Sequence, residues 1–266
     1  MELNGAEQTI VFYDAGFFGY GPEGDFAQWS LAHIAPIVIT LVLIVITSKQ
    51  RERLRSWRHE ETARFIFCFI GFFTLMGYYW RLLYVGTGPE FSNTFMDRLP
   101  LQVCEWTLVI SMFMMLKKSP LLFDMTFFLT MSFSLVPLIL PATITHTGPA
   151  YFLYYQFWGL HLLPIYGMFY MMFVHELRPH ARGIIAVLVM LAVLAVPALI
   201  LNQAFDSANY LYLKPGQYSM LSFFPDSLAV IIPLYLCIVL ALLGIDWLVW
   251  KLVTRRSGES EWSVKP

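Results

Sequence analysis

The chain has 266 residues, 58% of them hydrophobic and 13% charged, with a formal net charge of −1. Soluble domains are about 45–50% apolar and about 25% charged, so a soluble composition is excluded; net charge alone says nothing about nucleic acid, but with no basic tail interleaved with aromatics nucleic-acid binding is set aside. The apolar residues fall in blocks of membrane-spanning length, which predicts an all-α polytopic membrane protein.

Residues 1–28 form an acidic leader rich in glycine and aromatics, with Glu2, Glu7 and Asp14 and no positive n-region. It is expected to lie outside the membrane without a cleavable signal peptide. Seven spans follow within a transmembrane domain of residues 29–254: about Trp29–Thr47, Ala63–Tyr84, Leu99–Leu116, Leu121–Leu140, Tyr151–Val174, Gly183–Gln203 and Leu228–Thr254. Residues 255–266 make a short polar tail. Pro36, Pro164, Pro197 and Pro233 fall inside spans, where neighbouring helices satisfy the freed carbonyls and kinks are the usual result.

Lys and Arg cluster in the first, third and fifth connections and in the tail; the remaining connections carry only Arg98 and Lys214. Cytoplasmic segments hold the positive excess, so the expected orientation is N-terminus outside and C-terminus cytoplasmic, in the cell membrane. Trp29, Tyr84, Tyr151 and Trp250 stand near span ends, as interfacial aromatics do. There is no internal repeat to support an inverted-repeat transporter.

With that orientation, polar residues of the spans gather in the outer half. Cys104 and Glu105 lie in the first turns of the third span, His33 one turn into the first, and Arg81 near the end of the second. His161 is about ten residues, near 15 Å, down the fifth. Asn202 and Gln203 end the sixth, and Asn209 and Tyr210 follow it. The inner half is expected to hold few such groups, chiefly Asp246. An ionisable group in a span is costly and by default functional, which points to an outward polar cavity.

A thiolate is the nucleophilic form of cysteine, and a neighbouring imidazole can take its proton. Cys104 is therefore the candidate nucleophile and His161, on another helix, its base. Glu105 or Asn209 would orient the imidazole, Asn209 or Gln102 would donate to an oxyanion, and Arg81 offers a fork for a phosphate. The plainer readings stand beside these. A buried Cys is commonly a small hydrophobe, His161 bonds a carbonyl across helices, His33 is interfacial, and Glu105 pairs with Arg81. Cys68 and Cys237 read as core, and His59, His146, His175 and His180 as solvated. No CxxC or Cys/His zinc spacing occurs, so no metal or other cofactor is expected.

Phe26-Ala27-Gln28-Trp29-Ser30-Leu31-Ala32-His33, Leu99-Pro100-Leu101-Gln102-Val103-Cys104-Glu105, His161, Leu177-Arg178-Pro179 and Ala208-Asn209-Tyr210-Leu211-Tyr212-Leu213 together resemble the bacterial YwaF integral-membrane family and its eukaryotic relative, transmembrane protein 164. The likeness runs from about residue 26 to 250. It implies a seven-helix lipid acyltransferase acting on a phospholipid or lysophospholipid. In the eukaryotic relative a Cys and a His move a polyunsaturated acyl chain onto an ether lysophospholipid; the resemblance puts the Cys at Cys104 and the His at His161. Many bacterial members read LPLHLC, whereas Gln102 stands at that His here and Glu105 where Asp is common.

Two functions of different class follow. The first is acyl transfer between phospholipids through a Cys104 thioester. The second is a transporter or receptor-like binder of a small polar ligand, with Glu105, Arg81 and His33 as binding groups and Cys104 incidental. An assembly subunit without chemistry is a third. Oligomeric state is not legible.

Overall fold

The computed structural model describes residues 16–19, 25–85, 99–141, 147–206, 208–214, 224 and 227–256. Most of the leader and tail, Arg98, His146 and Asp226 lie outside the described residues. Within them the chain is helical, with no strand: α1 (Leu31–Lys49), α2 (Arg51–Arg55), α3 (Glu60–Val85), α4 (Val103–Lys117), α5 (Pro120–Leu129), α6 (Leu135–Ile139), α7 (Phe152–Val174), α8 (Arg182–Ala204) and α9 (Leu228–Arg256). A π-helical segment, Thr130–Ser134, joins α5 to α6 into one broken helix.

Six of these stretches are long and apolar enough to cross a membrane: α1, α3, α5 through α6, α7, α8 and α9. The third expected span is shorter. Leu99–Gln102 are not helical, and α4 has 15 residues, about 22 Å at 1.5 Å per residue. The apolar run predicts helix from Leu99, but Leu99–Gln102 are held by another segment, described below.

α7 is the centre of the bundle, with 72% of its apolar window buried against 11% for α9. α1, α3, α4 and the π segment all pack on it. Gly159 lets α3 come close: a Cβ there would meet the Thr74 side chain at 2.9 Å. Two seams are riveted by side chains bonding backbone. Tyr154 Oη donates to the Ala32 carbonyl (2.6 Å), and Arg55 Nε to the last carbonyl of α7, Val174 (2.7 Å). A cation at that carbonyl terminus also complements the helix dipole.

The end of the bundle carrying the 49–60, 117–119 and 175–182 connections is richly charged, and it holds more buried polar groups than the few, chiefly Asp246, expected there. Glu60 Oε1 receives Arg64 Nε (2.9 Å), Tyr170 Oη (3.0 Å) and His175 Nε2 (2.7 Å). Arg64 also donates to the Met115 carbonyl (2.5 Å). Asp124, fully buried, receives the His180 backbone N–H (3.0 Å), His180 Nδ1 (3.1 Å) and Arg182 Nε (2.7 Å). His175 is therefore partnered and largely enclosed rather than solvated, whereas His180 pairs with Asp124 and remains exposed, as expected. Burial outweighs the adjacent Glu60 and holds the His175 imidazole below its ordinary value. Cys237, expected in the core, is exposed, and Cys68 is half-buried with Sγ donating to the Met112 carbonyl (3.4 Å).

Candidate functional site

At the opposite end, two of the motif segments clasp each other. The Leu99 N–H donates to the Tyr210 hydroxyl (2.7 Å). Gln102 Oε1 receives the Leu211 N–H (3.2 Å), and Gln102 Nε2 donates to the Asn209 carbonyl (3.4 Å). Asn202, in the last turn of α8, completes the clasp: its Oδ1 receives the Tyr210 N–H (2.7 Å) and its Nδ2 donates to the Tyr210 carbonyl (3.0 Å). Asn209 closes its own loop on Lys214, with Nδ2 donating to the Lys214 carbonyl (2.7 Å) and Oδ1 receiving its N–H (2.9 Å). Leu211 and Tyr212 hold φ of 56° and 55°, a left-handed conformation costly for residues with a Cβ. Tyr210 is fully buried as a result of this turn.

The clasp sets the start of α4. Glu105 Oε2 receives the Gln102 N–H (3.2 Å), capping the helix, and Oε1 receives Tyr79 Oη from α3 (3.0 Å). Both carboxylate oxygens are thus used, and Glu105 makes no ion pair with Arg81. Arg81, 2% exposed, donates Nε to the Phe18 carbonyl (2.7 Å). Phe18 itself packs on Phe152 of α7, ring centroids 5.5 Å apart. Tyr79 is a site residue that sequence reading missed; a tyrosine two residues before Arg81 reads equally as an interfacial aromatic.

Cys104 follows Gln102 and Val103 on the first turn of α4 and is half-buried. It packs against the apolar cluster of Leu75, Leu108 and Leu160. Leu160 lies on α7, the helix that also carries His161, and α4 packs on α7. No hydrogen bond joins the thiol to the imidazole.

The two buried histidines differ in tautomer. His33 Nδ1 accepts the Trp29 N–H (2.8 Å), so its proton is on Nε2, which donates to the Leu138 carbonyl (2.7 Å). Both nitrogens are spent on backbone, so His33 ties α1 to α6. His161 Nδ1 lies 2.8 Å from the Phe157 carbonyl one turn earlier. A carbonyl can only accept, so Nδ1 carries the proton and Nε2 keeps its lone pair. Nε2 has no protein partner among the described residues. The plainer reading has His161 bonding a carbonyl across helices; the carbonyl it bonds belongs to its own helix.

Among the described residues no group of His, Cys, Asp and Glu could hold a metal. A groove of about 480 Å³ lined by Thr62, Phe65, Ile66, Cys68, Phe69 and Leu116 lies on the outer face of α3. It is far from this clasp along the helix and has little polar surface to react with.

A helical bundle with six apolar stretches of spanning length and polar clasps at its ends defines a multi-pass integral membrane protein. The TMEM164 family model matches residues 23–251, and the chain belongs to that family. No curated protein and no solved structure matches it.

Proposed function

We propose that the protein is a phospholipid transacylase of the cell membrane, using Cys104 as nucleophile and His161 as base. His161 Nε2 takes the thiol proton, and the sulfur attacks the acyl ester. The C–S bond forms as the ester C–O bond breaks, and the imidazolium returns the proton to the departing lysolipid alkoxide. In the second half His161 takes a proton from the hydroxyl of an acceptor lysolipid, whose oxygen attacks the thioester carbon; the C–S bond breaks and the imidazolium returns the proton to the released Cys104 thiolate. The acyl chain changes carrier and neither water nor an added cofactor is consumed.

The observation that carries this reading is the His161 tautomer: an imidazole with one nitrogen anchored by its own helix and the other open, beside the helix that bears Cys104. Apo sites often hold such pairs apart until substrate enters. The binder reading asked Glu105, Arg81 and His33 to hold a ligand; the bonds of Glu105 and His33 are all spent inside the protein, and Arg81 is turned to the Phe18 carbonyl. α4 serves as the seventh span, short and enclosed. The clasp end faces outside and the Glu60–Asp124 end the cytoplasm, in keeping with the positive excess of the connections there.

The test is a purified, lipid-reconstituted protein given a labelled diacyl phospholipid and a lysophospholipid. Transfer lost in both Cys104→Ala and His161→Ala, with a thiol-reactive lipid probe labelling Cys104 in wild type, supports the reading. Unchanged transfer in both variants ends it. Loss in Glu105→Gln with full activity in Cys104→Ser would favour the binder.

A further inference from the structure

The buried polar atoms without a hydrogen-bond partner among the described residues include Thr130 Oγ1, Ser134 Oγ and Trp158 Nε1. Thr130 and Ser134 are fully buried, and Trp158 is 4% exposed. Buried donors without partners are costly and rare in folded proteins, and each calls for an explanation. π segments of this kind occur frequently at functional sites.

The three atoms stand on two elements that pack together, the π segment and α7. Ser132 donates to Asp246 Oδ2 on α9 (2.6 Å). Thr130 and Ser134 stand two residues to either side of Ser132, which turns their side chains away from Asp246, and the π segment packs on α7. Ser134 stands one turn before Leu138, on the same face. The Leu138 carbonyl is bonded by His33, whose ring lies 5.6 Å from that of Trp158. Leu135 and Leu138 pack in one cluster with Trp158 and Leu162. His161 follows Trp158 by one turn of α7, so its open Nε2 belongs to the same stretch of the helix.

The chemistry of the set narrows the occupant. An indole N–H only donates, and each hydroxyl has a proton to give. None of the seam's residues is cationic, so the complement is a neutral acceptor rather than a phosphate. In a bilayer the abundant neutral acceptor is the acyl ester. We propose that the seam between the π segment and α7 binds the ester carbonyl of a glycerolipid, with Thr130, Ser134 and Trp158 as donors. This names the part of the substrate held at the site and rests on the acyl-transfer reading only for the lipid class.

The test compares two probes with the same headgroup and chain length: diacyl phosphatidylcholine and its dialkyl ether analogue, which lacks the carbonyls. Retention of each by the full chain in detergent is measured by native mass spectrometry. Wild type is expected to retain the diacyl lipid about five- to tenfold better, the worth of one or two net hydrogen bonds. Thr130→Val/Ser134→Ala and Trp158→Phe are expected to bring that ratio near one. The double variant, measured in the ether lipid, is expected to melt no lower than wild type, because the removed groups have no protein partner. Cys104→Ala is expected to keep the preference, so a failure of transfer alone would leave the binding site standing. Equal retention by wild type, a preference surviving both variants, or a lowered melting point of the double variant in the ether lipid would overturn the proposal.

Discussion

His33 and His161 sit in the same bundle, on helices that pack against each other, and at 0% and 5% exposure they are equally hidden. Residue type and burial do not tell them apart; their unused valence does. His33 spends both nitrogens on backbone groups of two segments and is a rivet. His161 spends one on the carbonyl a turn earlier, which fixes the tautomer and leaves the other able to accept a proton. The same contrast runs through the acids: Glu105 and Glu60 have their oxygens used by the fold, so neither competes for the proton of a substrate.

The largest effect expected from this contrast is on rate. His161→Ala should lower acyl transfer by about 10²–10⁴-fold, the usual worth of a general base, with a small change in melting temperature. His33→Ala should leave the rate per folded molecule close to wild type. Equal losses of rate in both would erase the distinction. Next in size is Glu60→Ala, which strands Arg64 in a buried position and should cost about 3–5 kcal/mol by thermal unfolding in detergent; a shift within error would make the network ornamental. His33→Ala comes third, at about 1–3 kcal/mol for each backbone group left unpaired.

The smallest effect is on pH. His175 is held below its ordinary value in the folded state, so the unfolded chain binds the proton first as pH falls. Its contribution is intact above the ordinary imidazole value, about 6.5, and is lost on acidification below it. Glu60, Arg64, Lys118 and Tyr170 surround or perturb the same cluster. His175→Gln should flatten the melting-temperature profile through that range, and a profile unchanged by the substitution would remove His175 as its source.

The helical class was readable from block length and polarity, because a 19-residue run such as Leu31–Lys49 leaves the backbone no other way to satisfy itself in hydrocarbon. The site was readable in part. Gln102, Glu105, Asn209 and Tyr210 do meet, in a clasp and a helix cap whose pairings spacing along the chain does not give. Periodicity marks a polar residue in an apolar helix without saying which neighbour will bond it. Tyr79 escaped notice because its partner is 26 residues away. The Glu60–Arg64 pair carried a readable signal, opposite charges four residues apart on one helix face; it was passed over because the surrounding basic stretch looked like solvated loop. The π segment had no signal at all, for Thr130–Ser134 contains neither Gly nor Pro.

α9 is held by little: Ser132 on Asp246, Phe127 and Phe128 against Trp250 and Trp247, and Tyr235 on the Tyr212 carbonyl. Weakly held elements open first. It is also the last helix of the described chain to leave the ribosome, so the rest of the bundle can assemble around α7 before it arrives. Heating should reverse that sequence, shedding α9 while the core still stands.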